Sequence, residues 1–220
     1  MRRIMIITTG GTIEKTYDER TGELANRRSI VRRMLRRLRL EETEVNIIEL
    51  MSKDSLVMTA EDREQILSVV QTFAGPVGGG TGAAAETGAA AGAGAGSAAG
   101  AGAGAAASAG AGAGAGAGVA PARSSGASAV VILHGTDTLQ VTGELLQQKI
   151  PHPRIPIVLS GALRPFEMKH SDALQNLNEA LFATGLLPAG VYCVAHGRAL
   201  SFPGVVKDRD RGTFVKLEDI

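Results

Sequence analysis

The sequence predicts an α/β fold with a mainly parallel sheet flanked by helices, and three observations carry that prediction. Apolar runs of strand length alternate with segments of helical periodicity. Two of those runs end in loops of Gly, Thr and Asp. A Gly/Ala-rich stretch interrupts a chain that is otherwise the size of one domain. The chain has 220 residues, 29 of them Gly, and from Gly75 to Ser128 it is almost wholly Gly, Ala and Ser. Within that stretch there is no aromatic, Leu, Ile or Met to offset the entropy of ordering glycine, and Glu86 is the only charge between Gln71 and Arg123. A disordered insertion over 75–128 is therefore expected. Stacked Gly-Ala sheets fit less well, because the repeat is short and irregular. What remains is the length of one globular domain, so 1–220 reads as a single interrupted domain.

The net charge is +1, which supplies no overall field for a nucleic acid or an anionic membrane. One cysteine, Cys193, cannot close an internal disulfide. No apolar run reaches the length of about 18 residues that a membrane span requires. These features predict a reduced, cytoplasmic setting, with no membrane partner and no nucleic-acid partner.

The elements follow in order. Ile4 to Ile7 is an apolar run suited to a strand buried on both faces at the edge of a parallel sheet. Ser29 to Leu40 places Ile30, Val31, Met34, Leu35 and Leu38 on one helical face and five arginines mostly away from it, a solvated face or a partner surface. Val45 to Met51 is the next strand, and Thr59 caps a helix that buries Ile66, Leu67, Val70 and Phe73. After the insertion come a strand at Ala129–Leu133, a helix at Leu139–Gln148 and a strand at Ile157–Ser160. Asp172 and Gln175 resemble a capping box for a helix that buries Ala173, Leu174, Leu177 and Leu181 and ends at Gly185. Val191–Ala195 is the last parallel strand, His196-Gly197-Arg198 a turn, and the mixed-charge tail from Lys207 too poor in apolar residues to make a second domain.

Sites in open α/β sheets lie beyond the carboxyl ends of the strands. The loops there carry Thr9-Gly10-Gly11-Thr12-Ile13, Lys53-Asp54-Ser55 and His134-Gly135-Thr136-Asp137-Thr138. Glycines let backbone approach a ligand closely, and a threonine hydroxyl beside backbone amides is a candidate nucleophile. TGGT by itself also fits a plain strand-to-helix turn, and Asp54 and Ser55 also fit polar loop groups ahead of the Thr59 cap. His134 reads as a hydrogen-bonded organiser of its loop. No metal is expected, since His134, His152, His170 and His196 lack paired ligand spacing, and no organic cofactor motif is present.

TGGTI followed by HGTDT resembles the asparaginase/glutaminase amidohydrolase family. KDSLVMTAEDR, IPIVLSGALRP and the ending VYCVAHGRALSFPGVVKDRDRGTF resemble further segments of it, the last being similar to short members that stop after the N-terminal catalytic domain. The resemblance implies cofactor-free hydrolysis of L-asparagine to L-aspartate and ammonia. Thr12 would be the primary nucleophile, Thr136 and Asp137 the second threonine and its carboxylate, and Tyr17 the assisting tyrosine. It also implies that Ser55, with Asp54 beside it, binds the substrate carboxylate, that Asp137 binds the substrate ammonium, and that Gly11 and Thr136 offer oxyanion amides.

Two positions depart from the implied pattern. A lysine is expected immediately before the fourth strand, and Ile155 stands there. Lys169 is the expected substitute, with Arg154 and Lys149 as alternatives. Leu56 stands where long members carry a polar substrate contact. Three functional readings follow in rank: a free L-asparaginase, a weak or inactive amino-acid-binding homologue, and the amidase subunit of a tRNA-dependent amidotransferase. By the same resemblance a homo-oligomer is expected.

Overall fold

The computed structural model describes residues 1–27, 29–75 and 126–219. The expected insertion over 75–128 lies outside them apart from Gly75 and 126–128. Where the described chain resumes, the Ser128 N–H donates to the Arg3 carbonyl at 2.8 Å, and Ser128 Oγ accepts from the Arg3 N–H at 3.0 Å.

Nine-residue β1 (Arg2–Gly10) carries the first apolar run. It is followed by a hairpin of β2 (Thr16–Asp18) and β3 (Glu23–Ala25), a short helix α1 (Val31–Leu35), and β4 (Thr43–Lys53). Helix α2 (Ala60–Ala74), β5 (Ala129–Leu133), α3 (Leu139–Lys149), β6 (Pro156–Ser160), α4 (Ala173–Ala183) and β7 (Gly190–Ala195) complete the alternation. The chain then adds β8 (Arg198–Ser201), β9 (Val205–Asp208) and β10 (Thr213–Lys216). Among the described residues the main sheet is ordered β4-β1-β5-β6-β7-β8, parallel throughout except for antiparallel β8. The expected α/β class holds. β1 is not an edge, however: β4 and β5 flank it, so its unbroken apolar run is what a doubly covered inner strand requires.

The period of two along each strand sorts the core onto two faces. Ile7, Val130, Ile132, Ile157 and Leu159 pack with Ile66, Val70, Phe73, Leu139 and Leu146 of α2 and α3. Ile4, Ile6, Val131, Leu133 and Val158 pack with Val31, Met34, Ala173, Leu177 and Leu181 of α1 and α4. The Thr59 cap is confirmed as a full capping box with Asp62, whose carboxylate accepts from the Thr59 N–H at 2.9 Å.

Two local expectations are corrected. The helix expected over Ser29–Leu40 is only the five residues of α1. It tightens into i→i+3 turns at Arg37 and Leu38, where closely spaced arginines disfavour a longer helix. Asp172 makes no side-chain cap on α4. Its carboxylate instead accepts from the N–H groups of Leu163 and Arg164 and from His196 Nε2 at 2.8 Å. Burial pushes the Asp172 carboxyl up, but the His196 contact and those N–H donors outweigh it and hold the group at about 2. The mixed-charge tail from Lys207, read only as too poor in apolar residues for a second domain, is built into the fold. It forms the β9–β10 hairpin, with Val205, Phe214 and Val215 buried.

Candidate active site

After β1 the chain crosses to β4 on one side, and β5 lies on the other, so the strand order reverses at the carboxyl ends of β1 and β5. That is where an open α/β sheet leaves a crevice for a ligand. The two Gly-Thr loops meet there. Gly11, at φ 78, sits so close to the other loop that an added Cβ would fall 2.5 Å from Gly135 Cα. Gly135 in turn approaches Ser55, where a Cβ would fall 2.4 Å from Ser55 Oγ. Only glycine fits at either place, and the consequence is that Thr12, Ser55 and Thr136 each stand at or next to one of these contacts. Thr9 Oγ1 donates to the Leu133 carbonyl at 2.9 Å and Thr138 Oγ1 to the Ser55 carbonyl at 2.9 Å, tying the loops together.

His134 is fully buried, with Nδ1 2.8 Å from the Gly135 carbonyl and Nε2 2.9 Å from Thr142 Oγ1. Burial pushes its pKa down to about 4, so the imidazole is neutral at neutral pH and organises the loop. Thr12 opens a 3-10 turn with Glu14, whose Oε2 accepts the Gly10 N–H at 3.0 Å behind the loop. Burial pushes the Glu14 carboxyl up. Asp54 and Ser55 open a second 3-10 turn, Ser55 buried and Asp54 paired with Lys15 Nζ at 2.8 Å. The hydrogen bond from Lys15, followed by the Leu56 N–H, holds the Asp54 carboxyl below its ordinary value.

The ammonium that sequence reasoning placed elsewhere comes from β9. Lys207 Nζ donates to Thr136 Oγ1 at 2.8 Å and to Asp137 Oδ1 at 2.9 Å. Arg209 Nη2 lies 3.1 Å from the same Asp137 oxygen. Lys169 is exposed and is not the amine that meets Thr136. Ile155, Arg154 and Lys149 stand at the wrong end of the sheet. Ile155 precedes β6 and packs against the core, roughly 17 Å of strand away from the carboxyl end. Arg154 caps the carbonyls of Phe73 and Gly75 at the end of α2, and Lys149 closes α3. The hairpin did leave a signal in the sequence: Val205-Val206-Lys207-Asp208 and Thr213-Phe214-Val215 are strand-like runs around a charged turn closed by Gly212.

One other expected role is altered by the geometry. The Gly11 N–H already donates to the Lys53 carbonyl at 2.9 Å, so it is engaged within the fold and not open to an oxyanion. Tyr17 lies on β2, 57% exposed, with its backbone N–H directed to Glu167 Oε2 at 3.2 Å. Leu56 is exposed. Cys193 is buried in β7, and burial pushes its thiol up, leaving it inert.

A mainly parallel α/β sheet whose switch-point loops set the Thr136 hydroxyl beside an Asp–Lys pair defines a class of site suited to nucleophilic chemistry. The family model for the asparaginase N-terminal domain matches residues 3–82 and 117–211, and the chain belongs to that family. It is similar to an L-asparaginase of Thermococcus kodakarensis, 47% identical over 64 residues, 29% of this chain and 19% of that protein. It is also similar to a glutamyl-tRNA(Gln) amidotransferase component of Methanococcus vannielii, 40% identical over 73 residues, 33% of this chain and 17% of that protein. The solved thermostable L-asparaginase from Thermococcus kodakarensis superposes with a TM-score of 0.67 at 21% identity, covering 97% of this chain and 51% of that one. The chain thus spans about half the length of that structure, and its matches cover under a fifth of the curated relatives. No helix among the described residues is long and apolar enough to cross a membrane.

Proposed function

We propose that the chain is an amidohydrolase that converts L-asparagine to L-aspartate and ammonia, with Thr12 as the nucleophile. The observation that carries this reading is the Lys207 ammonium held between Thr136 and Asp137, one loop away from the Thr12 turn. Thr12 Oγ attacks the amide carbon and passes its proton to the departing nitrogen. Ammonia leaves, an ester forms on Thr12, and water cleaves that ester to free the acid and restore the hydroxyl. Because Lys207 donates to Thr136 Oγ1, the Thr136 hydroxyl proton is free to point toward the reacting groups. This gives Thr136 a role in relaying protons and in orienting water. In this reading Ser55, with Asp54 beside it, binds the substrate carboxylate, and Tyr17, on the β2–β3 hairpin, assists the nucleophile.

The reading of an inactive binding homologue loses its motive, which was a missing ammonium. A second reading, as the amide-cleaving component of an amidotransferase, is favoured by the similarity to the Methanococcus vannielii protein. Self-association and a cytoplasmic, reducing setting belong to the same proposal, the latter in keeping with a sole, buried cysteine. The test is stoichiometric release of ammonia and L-aspartate from L-asparagine by the purified chain alone, with light scattering on the same sample. Release only in the presence of a partner protein and tRNA would favour the amidotransferase reading. No release under either condition would overturn both.

A further inference from the structure

We infer that Lys15 is a positioning residue, whose ion pair with Asp54 clasps the end of the Thr12 turn, and the β2–β3 hairpin that follows it, to the Ser55 turn before substrate arrives; the effect on turnover rests on the amidohydrolase reading above. Each half of the clasp sits at the end of a turn. Lys15 closes the first, where its N–H donates to the Thr12 carbonyl at 3.2 Å, and its Nζ donates to Asp54 Oδ2 at 2.8 Å. Asp54 opens the second, where its Oδ1 accepts from the Leu56 N–H at 3.1 Å. One carboxylate therefore caps the Ser55 turn with one oxygen and holds the Thr12 turn with the other. Thr138 Oγ1 donates to the Ser55 carbonyl at 2.9 Å, which anchors the clasp to the loop after β5.

Burial along the chain shows why a polar clasp matters at this point. Ile13 and Glu14 are buried and anchor the middle of the Thr12 turn, and the Gly11 N–H ties its entrance to the Lys53 carbonyl at 2.9 Å. From Lys15 to Ser29 no described residue is buried. The core thus stops holding the chain where Lys15 reaches Asp54, and a segment with few buried contacts opens at low cost unless polar links close it. The link further along, from the Tyr17 N–H to Glu167 Oε2 at 3.2 Å, is exposed. Exposed ion pairs are worth little, but the Lys15 and Asp54 side chains are only 25% and 37% exposed. The hydrogen bond from Lys15 is also the first cause of the lowered Asp54 pKa. What Lys15 fixes is the start of β2, the strand that carries Tyr17, so the clasp acts on the site through the hairpin.

Amide hydrogen exchange on the unliganded chain, followed by kinetics, tests the clasp. Lys15→Met and Asp54→Asn should each speed exchange over residues 16–25 by about tenfold, while β5 exchanges as in wild type. Lys15→Arg, which keeps the charge, should return exchange to within about twofold of wild type. With L-asparagine, Lys15→Met should raise KM about fivefold or more and leave kcat within about threefold, because only molecules with the hairpin closed bind substrate. Lys15→Arg should restore KM. Unchanged exchange over residues 16–25 in Lys15→Met and Asp54→Asn, equal acceleration in β5, no rescue by Lys15→Arg, or a loss confined to kcat would overturn the inference. Exchange needs no turnover, so absence of ammonia from wild type, with the exchange pattern as expected, would count against the amidohydrolase reading and uphold the clasp.

Discussion

Lys207 donates a 2.8 Å hydrogen bond to Thr136 Oγ1 across 71 positions of sequence. The contact joins the loop after β5 to a hairpin near the end of the chain, and Asp137 Oδ1 completes it at 2.9 Å. The Lys207 side chain is 12% exposed, so its charge acts on the hydroxyl and the carboxylate with little screening from solvent.

Lys207→Met should therefore lower kcat for ammonia release by about 100-fold or more, the range in which a positioned proton-handling group contributes. Lys169→Met, at an exposed position off the site, should stay within a factor of two of wild type. The pair of assays separates the lysine the fold selects from the one the sequence suggested. Equal losses in both variants, or none in either, would remove Lys207 from the mechanism.

How much of this was legible in the sequence depended on the range of the signal. β5 and the Thr59 cap could be read because each is a local pattern: five apolar residues in a row, and a hydroxyl three residues before a carboxylate. The glycines at 11 and 135 marked the close approach, although which loop each would touch was not written in their own neighbourhoods. Lys207 was missed for the opposite reason. Its partners are distant in sequence, and the hairpin presenting it is charged on its outer positions, so composition disguised it as a tail. The five-residue α1 shows the same limit from the other side: the apolar face at Val31 and Met34 was correct, and the arginine-rich turn after it ended the helix early.

His134 makes a pH-dependent contribution whose sign is fixed by burial. Its folded pKa is about 4 against an ordinary value of 6.5, so between those values the unfolded chain binds the proton and the folded chain does not. Stability is then full above pH 6.5 and falls as the pH drops toward 4, by up to roughly 3 kcal/mol at 1.36 kcal/mol per unit. Urea unfolding midpoints measured from pH 7.5 to 4.5 should fall accordingly, and His134→Gln should flatten that slope whatever its effect at pH 7.5. An unchanged slope would mean that other groups carry the acid sensitivity.

Gly143 in α3 lies under the Phe202 ring, and an alanine Cβ there would fall 2.0 Å from Phe202 Cζ. Two effects compete in Gly143→Ala. Helix propensity favours alanine by about 1 kcal/mol, while overpacking a filled core costs about 1–3 kcal/mol. Because Phe202 is buried and cannot swing into solvent, the clash should win. The variant should melt lower than wild type, and a raised melting temperature would show that the ring can yield.

The central claim is that Thr12 carries the acyl group between two half-reactions. Hydroxylamine tests it most directly, because an ester on the enzyme can be intercepted by an added nucleophile, diverting product from L-aspartate to the hydroxamate without slowing ammonia release. Wild type supplied with L-asparagine and hydroxylamine should form aspartyl hydroxamate while ammonia release continues, and Thr12→Ala, folded by circular dichroism, should form neither product. Ammonia and hydroxamate formed by Thr12→Ala at the wild-type rate would contradict the account.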